Sequence, residues 1–217
     1  MPSATLTLMQ VRRLWRRGMR LARNVWMDLG YGRFLGGVQE TRYSGQGAHA
    51  TVNSDYEVLH QVFRGRIRGD DVLVDVGCGR GRVLNYWLRA RLPNRIIGLE
   101  LDPEIAAETA NRLAGYENVR VISGDALPNL PTDGTLFYLY NPFAEPFIRR
   151  FADLCVGLYG GRPGVRFLYA NPEFGGAFVQ HPRWQIDEDL AIPQPWADKP
   201  FRCWVLSIRA PAANSRP

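Results

Sequence analysis

The nine residues from Val74 to Arg82, V-D-V-G-C-G-R-G-R, constrain this chain more than any other stretch. Val72-Leu73-Val74-Asp75-Val76 follows Asp70-Asp71 with the composition of a short buried strand, and glycines end it. Glycine accepts a positive φ and removes the side chain. Gly77, Gly79 and Gly81 therefore predict a tight strand-to-helix turn on whose bare backbone a ligand can lie, beside a helix N-terminus. Such a turn belongs at the C-terminal edge of an open parallel sheet.

Spacing narrows the ligand. A dinucleotide fingerprint reads Gly-x-Gly-x-x-Gly and cradles a pyrophosphate, whereas this chain reads Gly-x-Gly-x-Gly around Cys78, with Asp75 ahead of it. A carboxylate there repels phosphate in a partly desolvated site and suits a cationic or amino-bearing ligand. A nicotinamide-dependent oxidoreductase is disfavoured on the same grounds.

The surrounding chain alternates in a way that fits the turn. A helix is expected at Tyr56, Leu59, His60 and Phe63, then the buried strand, a helix from about Arg82 to Arg91, a strand Arg95 to Glu100 and a helix Pro103 to Leu113. Strands Val119 to Ile122 and Leu136 to Tyr140, a helix Glu145 to Leu158 and a strand Val165 to Ala170 follow. This rhythm implies a mostly parallel sheet with helices on both faces. Trp184 to Ile186 and Phe201 to Ile208 also have strand composition, but Pro193, Pro195 and Pro200 between them leave no room for a crossover helix. These two strands should pair antiparallel. The expected fold class is α/β, a seven-strand Rossmann-like sheet with an antiparallel C-terminal pair.

Further candidate residues fall at successive strand ends. Glu100, followed by Leu101, closes I-I-G-L-E, where a carboxylate can accept hydrogen bonds from both hydroxyls of a ribose. Asp125 follows V-I-S-G and offers an acceptor to an adenine amino group, with Ala126 supplying backbone. Asn141-Pro142-Phe143 ends L-F-Y-L-Y. Taken singly, each has an ordinary explanation as a solvated strand end, a helix cap or a turn. Their order at consecutive strand ends favours a ligand site.

At these residues the chain resembles the class I S-adenosylmethionine-dependent methyltransferases, over about residues 55 to 208. The resemblance implies that V-D-V-G-C-G-R-G holds the amino-acid part of S-adenosylmethionine, that Glu100 binds its ribose and that Asp125 binds its adenine. Within that family the sequence is similar to a set of uncharacterised bacterial methyltransferases with Tyr-Asn-Pro-Phe after the fourth strand and an Arg-Tyr loop upstream, here Arg42-Tyr43. Asn141-Pro142-Phe143 is also similar to the Asp/Asn-Pro-Pro-Tyr/Phe signature of amino-group methyltransferases, without the second proline. The implied role of Asn141, Pro142 and Phe143 is to orient and stack on the methyl acceptor, with Tyr140 and Tyr43 as pocket walls. His49 and His60 are candidate bases, more simply read as loop and packing residues. The expected acceptor is an unidentified nitrogen or oxygen of a small molecule or protein side chain. Protein lysine is one alternative, and a non-catalytic binding module that keeps the fold is another.

Charge bounds the partners. Arg12, Arg13, Arg16, Arg17, Arg20, Arg23 and Arg33 face only Asp28 in residues 1–35, a surplus of six that equals the net charge of +6. The rest, with 20 basic and 20 acidic residues, is neutral, which argues against nucleic acid. Leu8, Val11, Trp15, Ala22, Val25, Trp26 and Leu29 share one side of a predicted helix in that segment. This helix could pack its Trp-bearing face on the domain or on a partner subunit, lie on a membrane surface, or serve as a cleaved targeting peptide. Removal of residues 1–30 is expected to leave ligand affinity nearly intact while altering membrane or partner association. The expected organisation is this helix at 1–35, one ligand-binding domain at 36–210 and a frayed tail at 211–217. Cys78, Cys155 and Cys203 lack metal-site or disulfide spacing. The chain is expected to hold no metal and to lie in a reducing, cytoplasmic compartment, with peripheral membrane contact as an option.

Overall fold

The computed structural model describes residues 8–39, 51–52 and 54–210. Its elements run α1 (Leu8–Leu29), β1 (Val38–Gln39), β2 (Thr51–Val52), α2 (Tyr56–Phe63), β3 (Val72–Val76), α3 (Arg82–Arg89), β4 (Arg95–Glu100), α4 (Pro103–Leu113) and β5 (Val119–Ser123). There follow α5 (Ala126–Asn129), β6 (Leu136–Tyr140), α6 (Glu145–Tyr159), β7 (Arg166–Ala170), α7 (Gly176–Val179), β8 (Trp184–Ile192) and β9 (Phe201–Ile208).

Seven strands form one sheet in the order β5-β4-β3-β6-β7-β9-β8, parallel through β7, with β9 antiparallel to both β7 and β8. Buried parallel strands are apolar on both faces because helices cover both. Val74, Val76, Phe137 and Phe167 pack with Ile148, Phe151 and Ala152 of α6 on one side. Leu73, Tyr138 and Leu168 pack with α2 and α3 on the other.

Three features depart from the sequence reading. The short antiparallel pair β1 and β2 ahead of α2 is absent from the expected elements, because it carries no apolar alternation to announce it. The β8 strand runs six residues past its expected end at Ile186, through Asp187, Glu188 and Asp189. It is the sheet edge, and an edge strand that exposes charges lacks the apolar signature of a buried one.

The third departure concerns α1. Its Trp-bearing side is left largely exposed: Trp15 is 65% and Trp26 63% exposed, with the Arg89 guanidinium of α3 4.6 Å from the Trp26 ring centroid, whereas Asn24, Met27 and Asp28 are buried. Asp28, fully buried, accepts from Arg82 Nε (3.1 Å) and Nη2 (2.5 Å), from Tyr56 Oη (2.9 Å) and from the Leu35 amide (3.0 Å). Arg82 opens α3 directly after the glycine turn. The end of α1 that carries Asp28 is thus no detachable appendage, because its removal would strand the Arg82 guanidinium in the interior. No described helix is long and apolar enough to cross a membrane. Arg42, Tyr43, His49 and the tail 211–217 lie outside the described residues.

Candidate functional site

The strand order reverses between β3 and β6, and the turns after these two strands meet there. Gly77, Gly79 and Gly81 have φ of +77°, +52° and +78°, a region that strains residues with a Cβ. A Cβ on Gly77 would lie 2.9 Å from Pro142 Cβ, so the absence of a side chain is what lets the glycine turn press against Asn141-Pro142. The turn is held from several directions. Gly77 and Cys78 amides donate to Leu99 O at 2.9 and 2.8 Å, Thr109 Oγ1 donates to Gly79 O at 3.0 Å, and Arg112 Nη2 donates to Arg80 O at 2.6 Å. Gly98 leaves room for Cys78, whose Sγ would be 2.7 Å from a Cβ there. Burial, then the charges of Asp75 and Glu100, push the Cys78 thiol well above its ordinary pKa, which keeps it protonated where it packs against Gly98.

Asp75 and Glu100 emerge on one face of the sheet. Asp75 is in register with Gly98 on β4 and Tyr138 on β6, and Glu100 lies two residues beyond Gly98. Both are buried, at 3% and 7% exposure. Glu100 accepts from the Gly79 amide (2.8 Å) and the Asp102 amide (2.9 Å), so the strand-end acid itself shapes the glycine turn. Burial still raises its pKa, against those hydrogen bonds. For Asp75, no donor among the described residues reaches the carboxylate, and burial followed by repulsion from Glu100 raises its pKa well above the usual range. A buried acid without a donor is rare in native proteins.

Asp125 is exposed and caps α5 by accepting from the Leu127 amide at 3.0 Å, with Ala126 buried behind it. The cap engages one oxygen of a carboxylate that has two. Leu101 is half-buried between Glu100 and the Asp102 cap of α4.

Asn141 is buried with φ +40°. Its Oδ1 accepts from Tyr169 Oη at 2.8 Å and from the Glu173 amide at 3.4 Å, and its Nδ2 donates to Glu173 Oε2 at 3.3 Å. The side-chain amide is therefore engaged by β7 and the segment after it. Phe143 packs on Phe151 of α6, ring centroids 5.7 Å apart, which turns the ring toward the core. Tyr140 packs on Phe201 at 5.8 Å, and burial raises its pKa. His60 is exposed on α2.

Sequence reasoning missed the neighbouring strand end. Ala170-Asn171-Pro172-Glu173-Phe174 after β7 echoes Tyr140-Asn141-Pro142-Phe143 after β6, and Asn171 is likewise left-handed, with φ +47°. The repeated Asn-Pro was visible in the sequence, but that Glu173 reaches Asn141 was not.

Comparison with known proteins bears on this geometry. Residues 74–137 match a family model described as Methyltransferase domain. Among solved structures, an RNA methyltransferase from Salinibacter ruber in complex with S-adenosyl-L-homocysteine superposes with a TM-score of 0.57 at 16% identity, over 76% of this chain and 98% of that one. The chain has the Rossmann-like methyltransferase fold. A glycopeptide N-methyltransferase complexed with S-adenosyl-L-methionine shares this methyltransferase fold at 11% identity and a TM-score of 0.57, over 70% of this chain and 93% of that one. A ribosomal RNA small subunit methyltransferase A from Leuconostoc citreum is 32% identical over 75 residues, 34% of this chain and 25% of its own length. This chain spans only a quarter to a third of the curated relatives it matches, at 25% and 32%.

Proposed function

We propose that this chain is an S-adenosylmethionine-dependent methyltransferase acting on a nitrogen or oxygen of a small molecule or protein side chain. The observation that carries the reading is the Asp75 carboxylate, buried with no donor among the described residues, beside Glu100 at the edge where the glycine turn exposes backbone. A ligand with an ammonium group and a neighbouring cationic centre supplies the charge that this pair of acids lacks. Glu100 keeps further lone pairs for ribose hydroxyls, and Asp125 keeps its second oxygen for the adenine amino group. The 74–137 family match and the shared fold support the same reading.

When bound, the cofactor supplies an electrophilic methyl group on a sulfonium. In-line transfer breaks the sulfur–carbon bond, forms an acceptor–carbon bond and releases one acceptor proton. The chain's part is positioning and water exclusion. Asn141, locked by Tyr169 and Glu173, sets the loop at the acceptor side, and its Pro142 fixes the approach to Gly77. Tyr140 forms a wall of that side. In this reading Glu173, exposed and bonded to Asn141, takes the acceptor's proton. The neutral charge of residues 36–217 disfavours an RNA acceptor, although several structural neighbours act on RNA.

Calorimetry with S-adenosylmethionine and S-adenosylhomocysteine, followed by mass spectrometry of lysate fractions incubated with isotopically labelled S-adenosylmethionine, tests the reading. Binding of both ligands and a labelled product are expected. Absence of binding, or preference for NADH, overturns the proposal, and binding without any methylated product favours a non-catalytic module.

A further inference from the structure

The α1 helix is amphipathic in the reverse sense to a packed surface helix. Its arginine side meets the body: Arg13 lies 2.6 Å from Asp198, Arg20 3.2 Å from Asp55, Arg17 Nε donates to Trp196 O at 2.9 Å, and Arg23 pairs with Glu57. Its apolar side faces outward. Leu8, Val11, Trp15, Met19, Trp26 and Leu29 are between 47% and 69% exposed. At ~100° per residue all six fall within an arc of about 80°. Trp15 and Trp26, separated by three turns, sit on that arc about 16 Å apart along the axis, so both reach the same depth when the helix lies flat on a surface.

The rim of this face carries one sign of charge. Arg12 and Arg16 border the apolar arc without an ion pair among the described residues, and the sole acid of α1, Asp28, is buried against Arg82. The apolar surface continues into a groove of about 650 Å³ between α1, α2 and the turn after β8, where Met19, Trp26, Ile192, Pro195 and Trp196 line one part and the paired Arg20, Arg23, Asp55 and Glu57 another.

We propose that this outward face of α1 docks in the plane of an anionic phospholipid surface. The tryptophans and aliphatic residues enter the headgroup boundary while Arg12 and Arg16 meet lipid phosphates. A second copy of the chain is the poorer occupant: self-pairing sets Arg12 and Arg16 near their own counterparts, with no acid on the face to answer them. The inference is independent of which ligand the glycine turn holds.

The test is sedimentation of the full chain with phosphatidylcholine vesicles with and without phosphatidylglycerol, with tryptophan emission and far-ultraviolet circular dichroism recorded on the same samples. Binding to the anionic vesicles, a blue shift and release by salt are expected. Arg12→Gln with Arg16→Gln should weaken that binding roughly thirtyfold, and Trp15→Ser with Trp26→Ser by at least about tenfold together with loss of the blue shift. Both pairs should retain the native dichroism, since Asp28 and not the outer face anchors the helix. A folded chain that stays in the supernatant with anionic vesicles overturns the proposal. So does vesicle binding that neither pair of substitutions reduces, or a dimer in analytical ultracentrifugation that the tryptophan pair abolishes.

Discussion

Replacing Asp75 by Asn makes the site's electrostatics measurable. The side chain is 3% exposed, lies between Gly98 and Tyr138 in the sheet, and has no donor among the described residues. Burial and the Glu100 charge raise its folded pKa above the unfolded value. A group with a raised folded pKa contributes stability that is fully present below the unfolded pKa and is lost as pH rises through the folded one. The wild-type apoprotein therefore gives up stability on going from acid to alkaline pH, and Asp75→Asn, which does not titrate, avoids that loss. The variant should differ least from wild type below the ordinary carboxylate pKa of 3.8 and be more stable near pH 8, by about 1–3 kcal/mol, the scale of an unpaired buried polar group. For a chain of this size each kcal/mol raises Tm by about 2–4 °C. The same change removes the acid assigned to the cofactor's amino-acid part, so S-adenosylmethionine should bind on the order of ten- to a hundredfold more weakly at pH 8. Wild-type affinity should rise with pH as Asp75 and Glu100 lose their protons, and the slope should flatten in the variant. Scanning fluorimetry without ligand and calorimetry with it, both across pH, read these quantities. A variant that melts lower than wild type at pH 8, or binds S-adenosylmethionine as tightly with the same pH slope, refutes the reasoning.

Other perturbations probe the rest of the site. Glu100→Ala should weaken S-adenosylmethionine by about 1–3 kcal/mol and also lower the apoprotein Tm, because the Gly79 amide loses its acceptor; an unchanged dissociation constant removes the ribose assignment. Asp28→Ala should cost about 3–5 kcal/mol in urea denaturation by leaving Arg82 buried and unpaired, and Asp28→Ala with Arg82→Met should cost less than the single change. A single-change loss below about 1 kcal/mol counts against the role given to that pair. Gly77→Ala, at φ +77° and 2.9 Å from Pro142 Cβ, should reduce S-adenosylmethionine affinity through displacement of the turn, read by calorimetry on a chain that still melts cooperatively. Glu173→Gln should lower kcat more than it raises KM and shift the pH profile of methyl transfer. A profile superposable on wild type places the proton acceptor elsewhere.

What the sequence by itself determined is what local rules write into consecutive residues. Buried strands appear as apolar runs, so parallel β3, β4 and β6 and antiparallel β9 fall where Val72–Val76, Arg95–Glu100, Leu136–Tyr140 and Phe201–Ile208 say they should. A turn that requires positive φ appears as glycines, so the Gly77–Gly81 crossover was legible, and strand-end position brought Asp75, Glu100, Asp125 and Asn141 to one edge of the sheet. Only the tertiary structure decided which groups answer one another across the chain. An amphipathic helix records that it has two faces but not which one meets the body, and in α1 the arginines found Asp55, Glu57 and Asp198 while the tryptophans were left outside. Long-range partnership likewise joined Asp28 to Arg82 and Glu173 to Asn141, and left Asp75 with no donor among the described residues, because such pairings depend on where distant segments pack and leave no periodic trace in the chain.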